Sequence, residues 1–487
     1  MRTDQIFRAL GTGLCALGLT ACSVSGSLDL DDREYAFGDA AAAAGANDRD
    51  RRDPYASTYV APKAPPYLLQ NATVLTGTGE RLDGADVLIM DGVIEGVGDN
   101  LSPPAYTVRI DATGKWITPG LIDVHSHLGN YPAPGVAAHS DGNEATAPVT
   151  AEVWAEHSVW PQDPQFPLAL AGGVTTLQIL PGSANLVGGR GVTLKNVPGR
   201  SVMDQKFPGA PHSLKMACGE NPKRVYGGRG ASPSTRMGNV AGYRGAWIRA
   251  EEYLADWDAY DAAVEDGDDD AQPPSRDLEL DTLSGVLKGE ILVHNHCYRA
   301  DEMLVMLDIA EEFGYEITAF HHATEAYKIG DRLAESGTCA AMWADWWGFK
   351  LEAFDAVEAN IPMVDAQGAC AIVHSDSPRD IQRLNQEAAK AMGAAARMGM
   401  EVSEASAIRW LTVNAATALG VGDRTGQLTS GFMADVVLWN GNPFSVYARA
   451  EKVWIDGALR FDLSDPDSLW TTDFEIDQTP SGAEVGL

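Results

Sequence analysis

The chain is poor in several things, and each shortage removes a class of function. Basic residues are scarce: 36 Lys and Arg stand against 68 Asp and Glu, a formal net charge of −32. A nucleic-acid binder needs a cationic face for phosphates, so that class is excluded. A peripheral hold on anionic lipid is disfavoured for the same reason. Cysteine is also scarce, with 6 in 487 residues and no CxxC spacing. Neither a zinc ribbon nor a disulfide framework is expected; Cys218, Cys297, Cys339 and Cys370 read as buried free thiols. No Gly-x-Ser-x-Gly occurs, which argues against a serine hydrolase. Gly188-Gly189-Arg190-Gly191 lacks the Lys-Ser/Thr of a P-loop and the strand–GxGxxG–helix setting of a dinucleotide fold, so a turn or substrate loop is expected there.

The most informative segment is Thr118 to Gly129, T-P-G-L-I-D-V-H-S-H-L-G. Leu121, Ile122 and Val124 form a buried-strand run that ends in His125 and His127. Side chains two apart on a strand share a face, so both imidazoles converge at the strand's end. Paired neutral imidazoles form half of a site for zinc or a similar ion.

This stretch resembles the first-strand signature of the amidohydrolase superfamily, metal-dependent hydrolases on a (β/α)8 barrel. The resemblance implies an α/β fold, a TIM-type barrel with a small β-sandwich built from both chain ends. The sequence carries the matching grammar. Val87–Met90, Asp91-Gly92, Val93-Ile94 reads as a hairpin with a type I′ turn, and Val453–Ile455, Asp456-Gly457, Ala458-Leu459 reads as another. Between them, short apolar runs alternate with amphipathic helices at 301–313, 386–397 and 403–418. The expected division is 66–118 plus 420–463 for the sandwich and 119–419 for the barrel. An acidic stretch at about 251–281 is expected to be a solvated, partly disordered insertion, because it lacks the ligand spacing of a calcium loop. Residues 464–487 form a tail.

Later strand ends supply further candidate ligands. Ile291–His296 closes in a second HxH. Related enzymes carry H-A-H-R-A-D-D-I here, and aligning this with Arg299-Ala300-Asp301-Glu302-Met303 selects His296 as ligand and leaves His294 deeper, in the core or behind the ligands. Tyr298 and Arg299, which follow, become candidate substrate contacts. Ile317–His322 precedes A-T-E-A-Y where the family shows E-H-G-T-E-A, which selects His322 over His321. Ala371–Pro378 resembles the last-strand motif, whose aspartate touches metal and moves protons. Asp376 is therefore the expected general base, with His374 behind it. For a ligand bridging two metals, Glu220 is expected in preference to Lys215, since a carboxylate ligates directly and a lysine must first be carboxylated by carbon dioxide.

The resemblance implies cleavage of a C–N bond in an amide, cyclic amide or dipeptide, in the manner of imidazolonepropionase-like or Xaa-Pro-dipeptidase-like enzymes. One or two divalent ions, zinc by default, would serve a small-molecule or short-peptide substrate. A deaminase, or a non-catalytic surface lipoprotein with a vestigial site, are the alternatives. The N-terminus reads as a targeting segment: Arg2 and Arg8, then a short apolar run closing on Leu19-Thr20-Ala21-Cys22, which resembles a bacterial lipobox. Residues 1–22 would be a signal peptide and 23–65 a tether. Acylated Cys22 followed by Ser23 would place the protein in the periplasm as an outer-membrane lipoprotein, held to the membrane only by its anchor. A homo-oligomer is left open.

Overall fold

Two Asp-Gly pairs turn the chain where the sequence predicts. Asp91 and Gly92 have φ of 51° and 84°, and Asp456 and Gly457 have 47° and 74°. These left-handed pairs match the twist of the strands they join. The computed structural model describes residues 54–465 and 468–470, so the expected signal peptide, with Cys22, lies outside the described residues. Strands β1 (Tyr67–Leu75), β2 (Arg81–Met90), β3 (Val93–Gly98), β4 (Val108–Asp111) and β5 (Trp116–Pro119) come from the N-terminal side.

The chain then runs through the barrel strands β6 (Leu121–Ser126), β7 (Val174–Ile179), β8 (Val187–Lys195), β9 (Ser213–Ala217), β10 (Leu292–Cys297), β11 (Ala319–His322), β12 (Cys339–Met342) and β13 (Ala371–Val373). It returns as β14 (Val436–Trp439), β15 (Ala450–Ile455) and β16 (Ala458–Asp462). β14 pairs antiparallel with β5, joining the two ends in the order β16-β15-β14-β5-β1-β2-β3, with β4 also on β1. The strands expected to form a sandwich are thus linked into one continuous sheet. Leu69, Val74, Val87, Ile117, Val436 and Trp454 fill its core.

β6 to β13 form a second, nearly closed eight-stranded sheet in sequence order. Its strands are buried almost throughout, as barrel staves must be. The glycine-rich stretch at 188–191 is a stave, not a loop: it lies within β8, which runs antiparallel to both β7 and β9 while the other paired staves run parallel. At two of its three glycines a side chain would not fit. A Cβ on Gly189 would lie 2.3 Å from the Val153 carbonyl oxygen, and one on Gly191 would lie 2.5 Å from Ser213 Oγ. Asp123 ties the first stave to the last. Its Oδ1 accepts from the Ser375 N–H at 3.1 Å, its Oδ2 accepts from Ser375 Oγ, and the Asp376 N–H donates to the His125 carbonyl at 3.0 Å.

Three further expectations are corrected. The acidic stretch is helical over much of its length: Arg236–Glu265 is one long helix, and Asp277 caps the next, accepting from Glu279 and Leu280 N–H. The predicted helix 403–418 is broken at Thr412, where φ −135° and ψ −95° leave the helical region between Ile408–Leu411 and Val413–Ala418. The cysteines are paired, Cys218–Cys297 and Cys339–Cys370. Register explains this. His296 lies opposite Ala217 and Ala340 opposite Ala371, so each cysteine, one position along, meets its partner on the neighbouring stave. Separations of 79 and 31 residues carry no such information without the strand order.

Helix Ala300–Phe313 shows the local logic of the outer layer. Met303, Met306, Leu307, Ala310 and Phe313 recur on its buried face, and Gly314 ends it in the left-handed conformation at φ 72°. Glu302 in its first turn is buried, and its Oε2 has no hydrogen-bond partner among the described residues. Burial, and then the charge of Glu352, push its carboxyl up to about 7. The folded state therefore holds a proton that the unfolded chain has released, and stability falls as pH rises from about 4.3 towards 7. Glu302→Gln should remove that slope and make the protein more stable at pH 8, by up to about 3 kcal/mol. Urea unfolding at pH 5 and pH 8 checks this, and an unchanged pH slope in the variant would contradict it.

Candidate active site

The inward faces of the staves gather histidines at one end. His125 and His127 follow the strand alternation of β6. His321 and His322 are consecutive and should face opposite sides of β11. Both point inward because His322 takes a positive φ of 71°, which swings its side chain round. Asp376, just past β13, has φ 52°. Left-handed backbone at non-glycine residues is costly and tends to concentrate at functional sites.

Asp376 is the hub. Its Oδ1 lies 3.2 Å from His127 Nε2 and 3.5 Å from His125 Nε2, and its Oδ2 lies 3.8 Å from His322 Nε2. Two overlapping donor sets result: His125, His127 and Asp376, and His125, His322 and His374, the atoms of each set within 4.8 Å of one another. Burial alone would raise the Asp376 carboxyl, but its hydrogen bond to His127 and the surrounding charges hold it below the usual range, as a carboxylate. His296 packs its ring 4.6 Å from that of His322, and both its nitrogens are buried without a partner among the described residues.

The deeper histidines form a relay. His294 Nε2 lies 3.1 Å from the Ala418 carbonyl, which can only accept. Burial holds His294 down to about 3 and holds His321 and His125 well below the ordinary range, so each carries one proton. His294 Nε2 therefore donates and its Nδ1 accepts from His321 Nε2 at 2.8 Å. His321 Nδ1 then accepts from His125 Nδ1 at 2.9 Å. His125 Nε2 is left with a lone pair facing the cluster. His294 and His321, which the sequence reading passes over as ligands in favour of their neighbours, thus set the tautomer of His125. His321→Ala should weaken metal binding about ten- to hundredfold, the usual cost of losing such a partner. Chelator competition measures this, and unchanged affinity would reduce the relay to packing.

Two expected site residues lie elsewhere. Glu220 opens the helix Glu220–Gly227, partly exposed, with its carboxylate 3.8 Å from Lys350 Nζ. In its place, fully buried Lys215 on β9 puts Nζ 3.2 Å from His125 Nε2. Burial pulls its amine down to about 7. β9 is too short to bring Glu220 inward, because Gly219 turns the chain at φ 77° before the helix begins. Arg299 points away from the cluster and pairs with Asp301 at 3.0 Å, whereas Tyr298 is buried against His296 and His322. The aromatic loop Trp343–Phe349, which lines the mouth, has no periodicity to mark it and is missed by the sequence reading.

The donor set suits a divalent cation: imidazole lone pairs and a carboxylate converge, and His296 has no hydrogen-bond partner among the described residues. Comparison agrees. An amidohydrolase family model matches residues 366–461. The crystal structure of an amidohydrolase from Thermotoga maritima is 37% identical and superposes with a TM-score of 0.74, covering 81% of this chain and 100% of that one. Amidohydrolase tasK of Hapsidospora irregularis is 35% identical over 434 residues, 82% of this chain and 43% of that protein. A 5-methylthioadenosine/S-adenosylhomocysteine deaminase of Pyrococcus furiosus is 32% identical over 96 residues, 20% of each chain. The chain thus spans less than half the length of these curated relatives. It belongs to the amidohydrolase family, whose members are metal-dependent.

Proposed function

We propose that the protein hydrolyses a C–N bond in an amide, cyclic amide or dipeptide, on a centre of one or two divalent ions with zinc the default. The convergence of His125, His127 and His322 on Asp376 carries this reading. His296 completes the histidine set. Lys215, its amine lowered by burial, replaces Glu220 as the bridging candidate: a neutral amine can add carbon dioxide, losing a proton, to give a carbamate. A bound divalent ion would polarise the scissile carbonyl and make water nucleophilic near neutral pH.

The chain's own residues do the rest. Asp376 is ionised and lies at the cavity floor, so it accepts the proton of the attacking water and returns it to the leaving amine. The relay fixes His125, and Asp123 holds the loop carrying Asp376 against β6. Metal analysis together with turnover of amide, cyclic-amide and dipeptide libraries tests the reading. Ammonia release from amino-heterocycles alone would favour deamination, and no turnover under any metal loading would favour a vestigial site.

We also propose that Cys22 is acylated and anchors the enzyme at the outer membrane. Cys22→Ala should yield unlipidated protein or unprocessed precursor, and a mature wild-type chain lacking lipid by mass spectrometry would refute the anchor.

A further inference from the structure

A cavity of about 570 Å³ opens over Asp376, and aromatic rings make most of its wall. The wall begins at the ligand set itself. Trp343 stacks on His322 with ring centroids 4.3 Å apart, and Tyr298 stacks on it at 5.2 Å. Trp346 stacks on Trp343 at 5.0 Å, and Phe349 meets both Trp343 and Tyr298 edge-on. Trp343 is pinned by its indole N–H, which donates to the Ser375 carbonyl at 2.9 Å. The wall ends in water: Trp347 is 52% exposed and Phe349 58%.

Large apolar side chains left in solvent beside a reactive centre mark a surface made to be covered. The charges nearby narrow what covers it. The charged groups lining the cavity are Asp345, which is ion-paired with Lys390 at 3.1 Å, and Asp376, which the histidines hold, so the wall offers an anionic substituent no cation of its own. The neighbouring cations are committed: Lys390 pairs with Asp345 and Glu387, and Lys350 Nζ sits 3.8 Å above the Tyr298 ring and 3.1 Å from the Glu352 carboxylate.

We propose that this cleft is a substrate subsite for an aromatic or bulky apolar, uncharged group carried next to the scissile C–N bond. The proposal rests on the hydrolase reading. In it, a group attached to a carbonyl held at the ligand set extends along the Trp343–Trp346 stack and covers Trp347 and Phe349.

The test uses neutral probes matched except for one side chain, N-acetyl-phenylalaninamide and N-acetyl-alaninamide. Their binding to the metal-loaded Asp376→Asn protein, which preserves them, is measured calorimetrically. The phenyl probe should bind at least about tenfold tighter, as burying an aromatic ring implies. Adding Trp346→Ala or Trp347→Ala should shrink that gap to about threefold or less. Equal affinity for both probes, undetectable binding of both, or a gap that survives both tryptophan substitutions overturns the subsite. Turnover by the wild type separates the two readings. Hydrolysis of C–N substrates without phenyl preference retires the subsite alone, and phenyl preference without hydrolysis of any C–N substrate retires the hydrolase reading alone.

Discussion

Replacing Asp376 with Asn is expected to lower kcat by about a hundred- to ten-thousandfold, the usual contribution of a positioned general base. Metal content should stay high, because His125, His127 and His322 remain and Asn keeps an oxygen at Oδ1, 3.2 Å from His127 Nε2 in the native side chain. His125→Ala should behave differently and lose metal and turnover together, since His125 belongs to both donor sets. Metal stoichiometry measured beside kcat separates the two outcomes. Full activity in Asp376→Asn would remove the aspartate from proton transfer and leave the metal centre standing.

Lys195→Met is expected to destabilise the fold by about 3–5 kcal/mol, the cost of leaving buried charge without its counterion. Lys195 is the last residue of β8, and its side chain is fully buried. Its Nζ is 2.9 Å from Asp456 and 3.5 Å from Asp435, both on the terminal sheet. Asp456 is also the turn residue of the second hairpin and accepts from the Tyr59 hydroxyl at 2.6 Å. One ammonium thus joins the barrel to the strands that return from the far end of the chain. Methionine fills much of the volume but leaves two carboxylates facing each other across an apolar gap. Urea unfolding reads the loss, and a change under 1 kcal/mol would show that the carboxylates find water or protons at little cost.

The parts of this fold legible in the sequence are those written locally. The Asp-Gly turns, the period-two runs and the HxH at His125 and His127 each lie within a few residues of what they determine. What was not legible depends on which strand lies beside which. The disulfides need the neighbouring staves in register. That Lys215 lies among the histidines and Glu220 outside them depends on where β9 stops and Gly219 turns, a matter of about two residues at a strand end, where sequence patterns are weakest. The inward swing of His322 needs a backbone conformation that no residue pattern announces. Gly188–Gly191 misleads because glycine marks turns more often than it marks a stave pressed against its neighbours.

The Cys218–Cys297 bond has a consequence for how the chain could be cut. It closes a covalent ring around the long helix and the acidic turn that follows it, 79 residues from one sulfur to the other. That turn, 266–277, is an open stretch of the ring and a natural place for a protease to enter. A single cut there opens the ring without freeing either side. The nicked molecule stays one covalent body, its histidine-bearing strands before and after the cut still joined at the ends of adjacent staves, and it separates into two pieces only when a reductant reaches the sulfurs.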